Sequence, residues 1–183
     1  MSPSLQTFYR LWHCPGQVMN PVWWTYVGCE KWRLIYERYP LTRAELDKLL
    51  RKYLALEGRP PVLSPLASEL LQTESRRETL LLALGLWAMQ GGALLLLRPY
   101  REILATYFDN LNLAQLQALL PYGPLPEIEP EMLPDIAMEV AAAWLVQTQD
   151  PALHACRLFL APSKKPSPHG CPSPVLQKLV RWL

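Results

Sequence analysis

Histidine and cysteine, two residue types that bind zinc and perform thiol chemistry, occur close together at three places in the chain. These are His13 with Cys14, His154 with Cys156, and His169 with Cys171. Structural zinc sites usually take ligands from close pairs such as C-x₂-C, and this sequence has none. A reactive thiol needs a positive field to lower its pKa, and His13 is the one evident source near Cys14 or Cys29. Structural cysteines are therefore favoured, and a thiol- or metal-dependent enzyme is the alternative.

Motifs of known catalytic machinery are absent from the sequence. It contains no G-x-S-x-G elbow, Walker A loop, G-x-G-x-x-G turn or H-E-x-x-H helix. Three carboxylates lie within Glu127–Glu131, but this segment is broken by proline and favours a solvated linker over an acid/base pair. Cys156 shares an apolar stripe with Leu153 and Leu160, where a free cysteine packs as a small hydrophobe. The sequence thus predicts no catalytic residue, no metal ligand and no cofactor.

Composition indicates a folded protein that does not bind nucleic acid. Of the 183 residues, 50% are hydrophobic and 19% are charged, and the net charge is +2. Disordered chains are less hydrophobic, and nucleic-acid binders usually carry a basic face. The opening Met1–Ser4 lacks the basic and apolar segments of a signal peptide. We therefore expect free thiols in a reducing cytoplasm.

Prolines divide the chain into parts. They cluster in 59–66, 121–134 and 162–174. We predict an aromatic-rich N-terminal helical part at 1–58, a connection at 59–66, and a main helical body at 67–183. The segment 162–174 reads PSKKPSPHGCPSP, and we expect a mobile loop there because it has almost nothing to bury.

The remaining segments have helical periodicity and no convincing strand pattern. Thr42–Glu45 is typical of a capping box, after which Leu46, Leu49, Leu50, Tyr53 and Leu54 form an apolar stripe. Asp150 and Ser173 each precede a proline and are expected to be N-caps. The predicted fold class is all-α, a single compact multi-helix domain with a small aromatic-rich N-terminal subdomain and about seven to nine helices.

The segment Leu80–Leu97 contains eighteen residues without a charge and could be mistaken for a membrane span. Eighteen residues are at the short end for a span, and Gln90-Gly91-Gly92 interrupts it. A buried helix that turns at the glycines into a second buried helix explains the sequence better. We expect no direct membrane insertion, with a small membrane-associated protein as a further alternative.

Aromatic residues are concentrated near the N-terminus. Trp12, Trp23, Trp24 and Trp32 lie within the first thirty-two residues, and Tyr9, Tyr26, Tyr36 and Tyr39 are nearby. We expect most of these rings to form a buried subcore. Any exposed surplus would suit a binding surface, because tryptophan, tyrosine and arginine are enriched at interface hot spots.

This N-terminus, with its early Cys14-Pro15, resembles that of the YscK/OrgA/MxiK family (SctK), the sorting-platform adaptors of type III secretion systems. Further similar segments follow in order along nearly the whole chain. They are Glu78–Leu86, Leu119–Pro126, Ala143–Leu145 with Cys156–Leu158 beyond it, and Leu176–Leu183. The resemblance implies a largely helical, non-enzymatic cytosolic protein in which Cys14-Pro15 is a structural corner.

The resemblance also implies partners and a location. Such adaptors join the forkhead-associated-like cytoplasmic domain of the inner-membrane ring protein to the C-ring-like pod protein, which leads to the stator and the export ATPase. The protein would lie in the bacterial cytoplasm, at the cytoplasmic face of the inner membrane within the injectisome. For one partner face we name Arg33, Tyr36, Glu37 and Arg38, which follow Trp32; Arg33 and Glu37 stand four apart and share one side of a helix.

Overall fold

The computed structural model describes residues 2–183, and within them the fold is all-α, as predicted. These residues form twelve α-helices, more than the predicted seven to nine, because several are only four or five residues long. The helices are α1 (Pro3–His13), α2 (Pro15–Val18), α3 (Val22–Tyr26), α4 (Glu30–Arg38), α5 (Arg43–Tyr53), α6 (Pro65–Leu70), α7 (Glu74–Ala88), α8 (Arg98–Leu104), α9 (Asn110–Leu119), α10 (Leu133–Leu145), α11 (Pro151–Ala155) and α12 (Ser173–Trp182). Four 3₁₀ turns lie between them, at Pro40–Thr42, Gly92–Leu96, Pro130–Met132 and Cys156–Phe159.

Helices α7 and α10 pack against each other at the centre of the fold. Every residue of α7 from Leu80 to Leu86 is buried, as is every residue of α10 from Ala141 to Leu145. A helix that is apolar all round is typical of such an interior position. At the crossing, a Cβ added to Gly85 would lie 1.9 Å from the carbonyl oxygen of Ala137. Only glycine allows the two backbones to approach this closely.

The apolar segment Leu80–Leu97 turns at its glycines, as predicted, but the predicted second buried helix is wrong: a short 3₁₀ turn follows, and Leu96 and Leu97 are exposed. Helix α7 ends at Ala88, and Gly92 begins a 3₁₀ turn that buries Leu94 and Leu95. The Gly92 N–H donates to Pro121 O at 3.0 Å, so the turn is bound to the segment after α9. Within residues 2–183, no helix combines the length and the apolar character that a bilayer crossing requires.

The N-terminal helices and the main body share one hydrophobic core. Phe8 and Leu11 of α1 belong to the same buried cluster as the leucines of α7. Two hydrogen bonds reinforce the junction: Asn20 N–H donates to Leu158 O, and Trp23 Nε1–H donates to Leu160 O, both at 2.8 Å. The segment 59–64 between α5 and α6 has no helix, but the division of the chain into 1–58 and 67–183 stays a prediction.

Two of the three predicted N-caps differ in the structure. Asp150 caps α11 as expected, accepting from the N–H groups of Ala152 and Leu153. The Thr42 capping box is wrong, because a 3₁₀ turn already holds Thr42 in a helical conformation and its hydroxyl donates to Tyr39 O instead. Ser173 is the first residue of α12 rather than its cap, and its hydroxyl lies 3.2 Å from that of Thr148.

The segment 162–174 has no helix before Ser173 and runs along α10, with bonds that its composition does not reveal. The Ser167 hydroxyl donates to Ala143 O, and Trp144 Nε1–H donates to Gly170 O at 2.8 Å. Lys165 also forms an ion pair with Glu139 at 2.9 Å.

Candidate partner-binding site

The Cys14-Pro15 corner joins α1 to α2. Helix α1 ends at His13 and α2 begins at Pro15, with Cys14 between them at φ −130° and ψ 56°. Proline disfavours a helical conformation in the residue before it, so Cys14 leaves the helix and the chain changes direction.

A buried carboxylate holds this corner in place. Asp47 of α5 is 3% exposed and accepts from the Gly16 N–H at 3.0 Å. The Tyr36 hydroxyl of α4 donates to the same carboxylate, at 3.1 and 3.0 Å from its two oxygens. Burial raises the pKa of Asp47, whereas these hydrogen bonds oppose the shift. A Cβ on Gly16 would lie 2.7 Å from Tyr36 Cζ, so the corner also requires glycine.

Asp47, with the Gly16 N–H and the Tyr36 hydroxyl that it binds, has a structural role because these hydrogen bonds connect α5 to α2 and α4. Sequence reasoning missed Asp47, although a signal was present. Asp47 stands three and seven residues before Leu50 and Leu54, and therefore lies on the face of α5 that is buried. A carboxylate on an apolar face indicates a buried polar partner.

The thiols lie in surroundings that favour their protonated form. Burial is the main cause that raises the pKa of Cys14, and the Asp47 carboxylate adds to it. Burial also raises the pKa of Cys29, and it raises that of fully buried Cys156 to about 12. Cys156 packs as predicted, and its thiol donates to Ala152 O. In residues 2–183, no group of three or more His, Cys, Asp or Glu side chains is placed to hold a metal ion.

The four candidate interface residues on α4 do not share one surface. Arg33, Glu37 and Arg38 are accessible, and Arg33 forms the expected i,i+4 ion pair with Glu37 at 2.8 Å. Tyr36 is only 4% exposed and its hydroxyl binds Asp47, so its side chain is not part of the α4 surface.

Half of the eight N-terminal tryptophan and tyrosine rings named above are buried, rather than most of them. The buried rings are Trp12, Trp23, Trp24 and Tyr36, and the exposed ones are Tyr9, Tyr26, Trp32 and Tyr39. More of these aromatic rings are thus exposed than expected.

One exposed ring lies at a pocket that sequence reasoning did not find. We call it the Tyr26–Tyr53 pocket; it has a volume of about 260 Å³. Tyr26 ends α3 and Tyr53 ends α5, and these side chains are 58% and 55% exposed. Its other principal lining residues are Trp23, Val146, His154 and Arg157.

Arg157 is placed in this pocket by the ends of two helices. Its Nη1 donates to the carbonyl oxygen of His154, near the end of α11, at 3.1 Å. Its Nη2 donates to the carbonyl oxygen of Leu54, the C-cap of α5, at 3.4 Å. A cation is favourable at helix C-termini, where the carbonyl groups lack helical donors. The guanidinium also lies over the Trp23 ring, 5.6 Å from its centroid.

His154 is neutral in this arrangement. Arginine has no acceptor, so the 3.1 Å contact between Arg157 Nη1 and His154 Nδ1 requires Nδ1 to accept. Burial and the nearby guanidinium lower the pKa of His154 to about 4. The pocket therefore contains one cation at neutral pH, that of Arg157.

A protein-family model described as "Type III secretion system subunit" matches residues 6–162. The chain belongs to this family. No curated protein and no solved structure gave a match.

The region shared with other type III secretion system subunits contains the features described above. Residues 6–162 include the Cys14 corner, the α4 surface and the Tyr26, Tyr53 and Arg157 side chains. Helix α12 lies beyond the match. The two candidate partner surfaces described above, the α4 surface and the Tyr26–Tyr53 pocket, thus both lie within the matched region of this type III secretion system subunit.

Proposed function

We propose that this type III secretion system subunit is the sorting-platform adaptor of the YscK/OrgA/MxiK family (SctK). It links the forkhead-associated-like cytoplasmic domain of the inner-membrane ring protein to the C-ring-like pod protein. Through the pod it connects indirectly to the stator and the export ATPase. It acts without catalysis in the bacterial cytoplasm, at the cytoplasmic face of the inner membrane.

The observation that carries this proposal is the family match over residues 6–162, which covers every segment of the motif resemblance except Leu176–Leu183. An all-α body with thiols of raised pKa also suits an adaptor better than a thiol enzyme. The fold supplies accessible aromatic and arginine side chains of the kind enriched in protein interfaces.

Co-purification from a cell that expresses the whole secretion apparatus tests the proposal. We expect the tagged chain to recover both the ring protein and the pod protein. Recovery of neither, from cells in which the apparatus is assembled, would contradict it.

The α4 surface is our candidate for one of the two partner faces. Reversing the charge of Arg33 and Arg38 together is expected to weaken the binding of one partner in a salt-dependent manner and to leave the binding of the other unchanged. The matched control reverses Arg98 and Arg101 on α8, because Arg98 forms an i,i+4 ion pair with Glu102 at 2.7 Å, as Arg33 does with Glu37. Equal losses from both double variants would show a general charge effect and exclude the α4 face.

A further inference from the structure

The Tyr26–Tyr53 pocket has the composition of an interface hot spot. Tryptophan, tyrosine and arginine are the residues enriched at such sites, and Trp23, Tyr26, Tyr53 and Arg157 meet here. Tyr26 and Tyr53 keep more than half of their surface exposed although they stand beside apolar Val146 and Leu54. A partner that covered these rings would bury surface that the isolated chain leaves in water.

The size of the pocket favours side chains over a cofactor. Its volume of about 260 Å³ lies below the range of roughly 300–1,000 Å³ that is usual for small-molecule sites. A water molecule occupies about 30 Å³ of liquid, so the space suits one or two side chains of a protein segment.

Arg157 gives the pocket a preference for a negative group. No Asp or Glu of residues 2–183 lies within 4.0 Å of its guanidinium. Arginines that are partly removed from water usually have such a partner. The carbonyl groups of His154 and Leu54 hold the side chain, but they carry partial charges and leave the full charge uncompensated.

Unused donors on Arg157 fit a carboxylate. The contacts to His154 and Leu54 use Nη1 and one hydrogen of Nη2. Within residues 2–183, Nε–H and the second Nη2–H have no acceptor. A carboxylate accepts charge-assisted hydrogen bonds from such free guanidinium N–H groups.

We propose that the Tyr26–Tyr53 pocket receives a Glu or Asp side chain, with an adjacent apolar residue, from an extended acidic segment of a partner protein. The carboxylate binds Arg157, and the apolar neighbour packs between Tyr26 and Tyr53. This inference rests on the proposed function only in requiring that the chain has a protein partner.

Site-specific photo-crosslinking tests the pocket in the full chain. The crosslinking residue p-benzoylphenylalanine replaces Tyr53, in bacteria that carry the secretion apparatus, and the crosslinked peptides are identified by mass spectrometry. The control places it at Tyr39, which is also about half exposed and does not line the pocket. We expect Tyr53 to capture a partner segment with Asp or Glu within about three residues of the crosslink, the reach of adjacent side chains along an extended strand.

Two variants then test the chemistry. Arg157→Gln should reduce the Tyr53 crosslink by about tenfold, the loss of a hot-spot contact, and leave the Tyr39 crosslinks unchanged. Because Arg157 also joins two helix ends, Tyr26→Ala is the second variant. It removes a mostly exposed ring that contacts Trp23 edge-on, with 5.1 Å between the ring centroids, and should reduce the crosslink severalfold while an unchanged circular dichroism spectrum shows that the fold is intact. A crosslink that neither variant reduces would overturn the proposal.

Other outcomes of the same experiment also test the pocket proposal and separate it from the adaptor role. No crosslink from Tyr53, a captured segment without a carboxylate, or capture of a second copy of this chain would each overturn the pocket proposal. An acidic segment from a protein other than the ring and pod proteins would support the pocket and contradict the adaptor role. Recovery of both proteins without a pocket crosslink would support the adaptor role and overturn the pocket.

Discussion

Replacing Gly85 with alanine is expected to destabilise the protein more than any exposed substitution on the same helix. The new Cβ would lie 1.9 Å from Ala137 O, and an ordinary contact requires about 3.4 Å, so α7 and α10 would have to separate by about 1.5 Å. The oxygen belongs to a backbone, so no side-chain rotation relieves the overlap. Overpacking of a core typically costs about 1–3 kcal/mol and occasionally more, and the backbone contact places Gly85→Ala at about 3 kcal/mol.

Thermal unfolding followed by circular dichroism measures this cost. Alanine is the better helix former by about 1 kcal/mol, so a net loss has to come from packing. A loss of 3 kcal/mol corresponds to a decrease in Tm of about 6–12 °C for a chain of this length. Ser75→Ala is the matched control, because Ser75 is exposed on α7, and its effect should stay within about 0.5 kcal/mol. An unchanged Tm for Gly85→Ala would refute the close crossing of α7 and α10.

Three further predictions concern the corner, the loop and the pocket. Cys14→Ser should retain partner binding, and its free energy of unfolding should fall by about 1–3 kcal/mol if the new hydroxyl has no hydrogen-bond partner. Stoichiometric zinc in the purified protein, or loss of binding in a fully stable variant, would contradict a structural role for the Cys14 thiol. A glycine-serine bridge too short to reach Trp144, in place of 164–170, should lower Tm. It removes the Gly170 carbonyl that accepts from Trp144 Nε1–H, at a cost of about 1–3 kcal/mol, and the Ser167 hydroxyl that donates to Ala143 O. Replacement of 164–166 alone removes an exposed ion pair and should change Tm little. Lowering the pH from 6.5 towards 4 should destabilise the fold, because His154 takes up a proton in the unfolded chain but not in the folded one, where its pKa is lowered to about 4. The pKa shift limits the loss in free energy of unfolding to about 3 kcal/mol, and the partial exposure of His154 reduces this loss to about 1–2 kcal/mol. Urea unfolding at pH 7 and 4.5 measures this loss, which should be smaller in His154→Gln; an equal loss in both proteins would exclude His154 as its source.

The helical class could be predicted from sequence because it depends on local patterns. Periodic apolar residues, prolines and the Gly91-Gly92 break act within a few residues of their own position, and the structure confirms the helices and the turn. Asp150 likewise caps α11 through N–H groups two and three residues away. Thr42 failed as a cap because the preceding Pro40 begins a 3₁₀ turn, and this conformational competition is not visible in the capping pattern.

The candidate site depends on contacts between distant residues, so little of it could be predicted. Tyr26, Tyr53 and Arg157 come from three elements and meet only in the folded chain. Tyr36 looked accessible on a helix with Arg33 and Glu37, but its hydroxyl has a partner eleven residues away on α5. Asp47 was the exception, since its position on an apolar face could have indicated a buried role.

A three-component binding assay tests the adaptor role most directly. The cytoplasmic domain of the ring protein is immobilised, the full chain is added, and retention of the pod protein is measured. We predict that the pod protein is retained only when the chain is present, and that the chain stays bound to the ring domain as the pod protein is titrated. If the ring domain and the pod protein displace each other from the chain, they share one face, and the chain does not bridge them.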